Sequence, residues 1–229
     1  MNAIITAATK GIGRAIAFKL AQSGYHLSLC ARTETDLLAL QNELQTYGVN
    51  VFVKVADLTS KADVLAFAEF ALNSLKTVDV LVNNAGVFMP DVFLDEPTEN
   101  FELQQNVNVN ATYLLSKEIG KNMRLNTKGH IFNICSVASL SPADHAGSYS
   151  VTKAAMLSLN NVLRKELAQY KVKVTAILPG ATLTASWGET TIDHDKFVQP
   201  ADVADTLYSI LNLSKGANVD EVILTPLNF

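Results

Sequence analysis

The strongest constraint on this chain is an alternation. Short β-branched runs, apolar on both faces, are separated by longer stretches with helical spacing. Residues 4–6 (IIT), 80–83 (VLVN), 130–134 (HIFNI) and 176–178 (AIL) show no apolar–polar period. A half-wet antiparallel sheet would impose one; a parallel sheet covered by helices on both faces would not. Strand–helix alternation implies right-handed crossovers and therefore an α/β, doubly wound, Rossmann-type sheet.

Along the chain, NAIIT reads as a strand and Gly11–Ser23 as a helix with Ile12, Ile16 and Leu20 on one face. HLSLCA is followed by a Leu-rich helix from Thr33 to about Tyr47, and VFVKVA by a helix capped at Ser60 and running to about Leu75. VDVLVNN precedes a long helical tract opened by Pro97 and Thr98 and reaching about Leu125. GHIFNICS, a helix over Tyr149–Tyr170 and VKVTAILP come next. A polar, irregular stretch covers Thr184–Gln199, Pro200 opens a short helix with Val203, Leu207 and Ile210 on one side, and EVILTP is the last strand. No repeat, low-complexity tract or linker interrupts this order, so a single domain is expected over residues 1–229.

Composition excludes several classes of function. With 48% apolar and 17% charged residues the chain can bury a large core. A net charge of −4 with no run of Lys and Arg argues against nucleic acid as a partner. MNAIIT leads directly into structured sequence without a basic-then-apolar leader, and no apolar stretch approaches the ~18 residues of a membrane span. A soluble cytoplasmic protein is the expectation. Cys30 and Cys135 sit in apolar strands without C-x-x-C spacing and read as core residues rather than disulfide partners or metal ligands, so no metal is expected.

In a doubly wound sheet, ligands bind beyond the carboxyl ends of the strands where the strand order reverses. The turn TAATKGIG, residues 6–13, lies at such an end, where helix amides and the helix dipole favour a phosphate. Gly11 and Gly13 permit close approach, but Ala7 stands where a first glycine belongs. A left-handed backbone there would cost alanine ~1–2 kcal/mol, and a negative φ nothing. Either way the N–H donor survives. Taken alone, this glycine pattern serves a structural turn as well as a cofactor.

Other residues decide between these readings. Asn83-Asn84-Ala85-Gly86 follows the fourth strand, Ser136 ends the fifth, Tyr149-Ser-Val-Thr-Lys153 opens the next helix, and Pro179-Gly180 ends the sixth strand with Thr184 beyond. In order and spacing, over nearly the whole chain, this resembles the short-chain dehydrogenase/reductase family. The resemblance implies a seven-stranded sheet of order 3-2-1-4-5-6-7 and NAD(P)-dependent chemistry at a carbonyl or alcohol. It also implies a homodimer or homotetramer built on the long helices and the last strand.

Ketone reduction needs a hydride on carbon and a proton on oxygen. Tyr149 is the candidate acid. Its phenol, ordinarily near pKa ~10, needs help at neutral pH, and Lys153 one helical turn on brings a positive charge that favours the phenolate. Ser136 would polarise the substrate oxygen. Asn108 matches the family's fourth catalytic member, kinking or hydrating its helix and linking Lys153 to solvent, with Asn106 and Asn110 close enough to compete. A Ser136–His145–Asp144 hydrolase triad is disfavoured, because Asp144 and His145 are neighbours and no G-x-S-x-G elbow is present. His145 reads as a loop residue, solvated or lining the substrate pocket.

For the cofactor, the family pattern assigns Thr6, Ala8, Thr9, Lys10, Gly11, Ile12 and Gly13 to the turn, with Ile12 near the nicotinamide. Asp57 and Leu58 fall at the adenine, and Asn83, Ala85 and Gly86 near its ribose. Lys153 falls at the nicotinamide ribose beside Tyr149, and Pro179, Gly180, Thr182 and Thr184 at the carboxamide end. NAD sites usually carry an acid after the second strand. Here Ala31 is followed by Arg32 and Thr33, and Lys10 lies close by, a set that favours the 2′-phosphate of NADP(H).

The tract 184–199 is expected to cover a small-molecule carbonyl substrate. Trp187 either stacks on a flat substrate or packs in a core or interface. PGATLTASWGE and VDEVILTP resemble bacterial sepiapterin reductase-like members, which reduce pterin side chains and aromatic diketones. A 3-oxoacyl reductase-like enzyme is the nearest competitor; Glu189, Asp193 and Asp195 in the lid argue against anionic acyl carriers. A nucleotide sensor or scaffold without turnover is the alternative of a different class.

Overall fold

A computed structural model of the chain describes residues 1–228. The seven strands are β1 (Asn2–Thr6), β2 (His26–Ala31), β3 (Val51–Val55), β4 (Val80–Asn83), β5 (Gly129–Ile134), β6 (Val172–Pro179) and β7 (Glu221–Leu224). They form one sheet of order β3-β2-β1-β4-β5-β6-β7. Every pairing is parallel. The missing apolar–polar alternation has its cause here: both sheet faces are covered.

The helices are α1 (Gly11–Gln22), α2 (Glu34–Gln45), α3 (Lys61–Leu75), α4 (Thr98–Gln104), α5 (Ala111–Asn126), α6 (Gly147–Leu167) and α7 (Pro200–Leu211). On one face Ile5, Val80 and Val82 pack with Ile16 and Leu20 of α1, Leu40 and Leu44 of α2, and Leu207 of α7. On the other, Ile4 and Leu81 pack with Phe67 of α3, Leu115 and Ile119 of α5, and Leu167 of α6. Neighbours Ile4 and Ile5 thus serve opposite cores, as the two-residue strand period requires. Ser60 caps α3, its hydroxyl accepting from the Asp63 N–H. No helix among the described residues is long and apolar enough to cross a membrane.

The long tract after Pro97 is not one regular helix. Between α4 and α5, residues Gln105–Asn110 adopt π-helical turns. Such a widened turn is rare and costs hydrogen-bond geometry, which marks it as a place where a side chain is being aimed. The helix after β5 starts at Gly147, two residues before Tyr149.

At the amino end of β5, His130 is buried, with its Nε2 2.8 Å from Thr175 Oγ1 and its ring stacked on Phe132 at 4.0 Å. Thr175 donates its own hydroxyl to the Val219 carbonyl at 2.7 Å, so Nε2–H is the donor in the histidine contact. Burial, and then the nearby Lys173 charge, push the imidazole pKa down to about 3.

Candidate active site

Strand order reverses at β1, whose neighbours β2 and β4 lead the chain to opposite ends of the sheet. Two cavities open at the carboxyl ends of the strands there. The larger, about 530 Å³, is lined among others by Gly11, Ile12, Asn84, Phe88, Ser136, Tyr149, Lys153, Pro179, Gly180, Thr182, Thr184 and Trp187. The smaller, about 290 Å³, is lined by Thr9, Arg32, Thr33, Asp36, Asp57, Leu58 and Ala85 among others. Ala7, Lys10, Gly86 and Val87 line both, so the cavities adjoin across the switch point.

The glycine turn settles the question Ala7 posed. Its φ is +51°, the left-handed region, so alanine accepts a conformation in which glycine is unstrained. Gly11 is also left-handed, at φ +53°. Gly13 is required by space: a Cβ there would lie 2.4 Å from Asn84 Nδ2 and 2.5 Å from the Ala7 carbonyl oxygen. No side chain caps α1, whose leading amides are therefore left to whatever enters the cavity.

Ser136 lies two residues beyond β5, at the N-cap of a short 3-10 turn over Val137–Ser139, and is nearly buried. Its Oγ accepts from the Ala138 N–H at 3.1 Å, which uses a lone pair and leaves its proton to donate. Tyr149 lies in the first turn of α6, its ring edge-on to Phe88 with centroids 4.9 Å apart. Lys153 is one turn on and buried; its Nζ donates to the Ile134 carbonyl at 2.9 Å and lies 5.7 Å from the centre of the Tyr149 ring. The two side chains share one helix face and one cavity.

Among the three candidate asparagines, the buried one is Asn108. Asn110 donates to Asn106 at the surface instead. Asn108 Oδ1 accepts from the Val87 N–H at 2.7 Å, while its Nδ2 donates to the Val87 carbonyl and, at 2.9 Å, to Thr152 Oγ1. These bonds make its side chain a clamp between the loop after β4 and the helix carrying Lys153. Gly86 completes the arrangement: a Cβ there would sit 3.3 Å from Lys153 Nζ and 3.6 Å from Asn108 Oδ1.

Several expected residues lie outside both cavities: Thr6, Ala8, Gly13, Asn83, Asn108 and His145. Thr6 Oγ1 accepts from the Asn84 and Ala85 amides, each at 3.0 Å, and so ties the turn after β4 to β1. Asn83 is buried and donates to Ser116 Oγ and Asn133 Oδ1, each at 2.8 Å. Its side chain braces the strand against α5 and β5. Its neighbour Asn84 faces the larger cavity and donates to the Thr6 carbonyl. Ala8 is a core residue. His145 sits in an exposed loop at φ +52°.

Among the lining residues to which the sequence patterns assign no role are Asn84, Phe88 and Asp36. For Asn84 the signal was present, since side-chain alternation at a strand end turns adjacent residues to opposite sides. In the smaller cavity the Thr59 backbone N–H, aided by its hydroxyl and the Arg32 guanidinium, outweighs burial and holds the Asp57 carboxyl below the usual range. Cys135 lines the larger cavity beside Ser136, yet burial pushes its thiol up to about 11 and that of Cys30 to about 12, so both remain protonated at neutral pH.

The lid over 184–199 holds two short 3-10 turns, Ala185–Trp187 and His194–Lys196. Its far end is fastened by buried Phe197 and by Val198, which bridges Thr182. Trp187 lines the cavity, packs edge-on to Phe197 at 4.9 Å and donates its indole N–H to the Thr182 carbonyl. It thus serves lid packing and the cavity wall together.

The family model described as short chain dehydrogenase matches residues 1–195. An uncharacterized oxidoreductase of Staphylococcus saprophyticus is 31% identical over 225 residues, covering 98% of this chain and 96% of that protein. The crystallised alcohol dehydrogenase of the archaeon Thermococcus sibiricus, complexed with 5-hydroxy-NADP, superposes with a TM-score of 0.93 at 28% identity, covering 99% of this chain and 96% of that one. A metagenomic short-chain oxidoreductase in complex with NADP gives 0.86 at 30% identity, with the same coverage of both chains.

Proposed function

This chain belongs to the short-chain dehydrogenase family, and on that premise we propose that it is an NADPH-dependent reductase of a ketone or diketone carbonyl. The observation that carries the reading is the convergence of Ser136, from the turn after β5, with Tyr149 and Lys153 of α6 in the cavity that the α1 turn opens into.

The residues fit a dinucleotide. Uncapped α1 amides, left-handed Ala7 and Gly11, and the tight packing of Gly13 against the turn suit a backbone brought close to a pyrophosphate. Arg32 and Lys10 in the smaller cavity suit a 2′-phosphate, and the two structural relatives above were crystallised with NADP or a derivative. When bound, the cofactor supplies the hydride for the carbonyl carbon. The protein does the rest. Ser136 donates its hydroxyl proton to the carbonyl oxygen, which can only accept, while one of its own lone pairs receives the Ala138 N–H. Tyr149 delivers the proton to the same oxygen. Lys153, anchored on the Ile134 carbonyl, keeps its ammonium beside the ring and stabilises the charge left behind.

The substrate is a flat, apolar carbonyl compound, such as a pterin side chain or an aromatic diketone. Supporting this, Phe88 and Trp187 contribute aromatic faces to the cavity, and among the described residues its charged lining is confined to Lys10 and Lys153. The open edge strand β7, with Ile223 half exposed, supports assembly into a homo-oligomer. The test is turnover of a panel of diketones, pterins and 3-oxoacyl thioesters, followed by nicotinamide absorbance. Tyr149→Phe should bind NADPH as wild type does yet lose about 10²–10⁴-fold in rate. Tight NADPH binding with no turnover of any carbonyl would favour a sensor.

A further inference from the structure

The smaller cavity is not the bare cationic pocket that Lys10 and Arg32 imply in sequence. Each cation faces a carboxylate. Lys10 Nζ lies 3.7 Å from Asp36 Oδ2. Arg32 lies close enough to Asp57 to contribute to lowering its pKa. All four side chains line the cavity, so its formal charges cancel. Asp36 sits in the first turn of α2, one turn after Thr33, where the helix dipole steadies an anion.

We propose that Asp36 is a selectivity-determining residue: its carboxylate competes with the 2′-phosphate of the cofactor for Lys10 and repels that phosphate. The chain thereby surrenders part of its preference for NADPH over NADH. The proposal rests on the NADPH reading above. A phosphomonoester carries about −1.5 to −2 charge at neutral pH, whereas the 2′-hydroxyl of NADH carries none. Only NADPH therefore meets the penalty. Lys10 is 72% exposed and Asp36 38%, so Lys10 can swing between the two anions, and salt screens both contacts.

The experiment is calorimetric titration of the full chain, wild type and Asp36→Asn, with NADPH and with NADH at low and high salt. Removing the charge should tighten NADPH about three- to tenfold and change NADH less than about twofold, with the gain shrinking in high salt. Asp36→Glu, which keeps the charge, should restore the wild-type ratio. Unaltered NADPH affinity in Asp36→Asn, or equal tightening of both cofactors, overturns the proposal. If Asp36→Asn disturbs α2, urea unfolding will show it, and the Glu variant then decides: a ratio unlike wild type counts against the charge argument. A wild type that prefers NADH defeats the cofactor reading instead, and the direction of the NADPH change in Asp36→Asn still judges the role of Asp36.

Discussion

Acidification toward pH 5 should destabilise this protein through the side chain of His130. The imidazole is buried against Phe132 and Thr175, with its pKa pushed down to about 3. In the unfolded chain it returns to about 6.5. Because the folded pKa is depressed, the unfolded state binds the extra proton between these values. Stability from this group is complete above the unfolded pKa and drains away as pH falls toward the folded one. At about pH 5 the unfolded state gains 1.36 × log(1 + 10^1.5), or about 2 kcal/mol, against less than about 0.1 kcal/mol near pH 7.5. The folded value hardly enters, since native His130 is only about 1% protonated at pH 5. Urea unfolding at the two pH values, for wild type and His130→Phe, isolates the effect. The variant keeps a stacked ring and loses the titrating group, and carboxylates common to both cancel in the difference. Wild type should lose about 2 kcal/mol more than the variant. Equal losses in the two proteins would refute the linkage between burial and charge.

Two substitutions probe the glycine positions. Ala7→Gly relieves left-handed strain of about 1–2 kcal/mol but enlarges unfolded-state entropy by about 0.4–1 kcal/mol, so a net stabilisation of up to about 1.6 kcal/mol is expected as a higher urea midpoint at constant slope. A lower midpoint would mean that the Ala7 methyl packs more favourably than its backbone is strained. Gly86→Ala crowds Lys153 Nζ, 3.3 Å from the added Cβ, and a shift of a few tenths of an ångström there should lower kcat about tenfold while the melting temperature barely moves. An unchanged kcat would show that the ammonium need not lie where the structure holds it.

Local pattern alone specified the α/β architecture, because burying a sheet on both faces leaves its mark on every strand: Ile4 and Ile5 must both be apolar when helices lie on either side. The Tyr149–Lys153 pair was also legible, since one helical turn places two side chains on one face whatever surrounds them. What the sequence could not determine are the contacts made across the fold. The choice of Asn108 over Asn106 and Asn110 depends on a π-helical turn and on partners at Val87 and Thr152, remote in the chain. The side-chain N–H groups of Asn83, which its motif leaves open, are given to Ser116 and Asn133 from neighbouring elements. Asp36 gains meaning only because α2 folds back beside the α1 turn and sets a carboxylate against Lys10. Periodicity records which way a side chain points; only tertiary packing, by bringing distant segments within hydrogen-bond or Coulomb range, decides what it meets there.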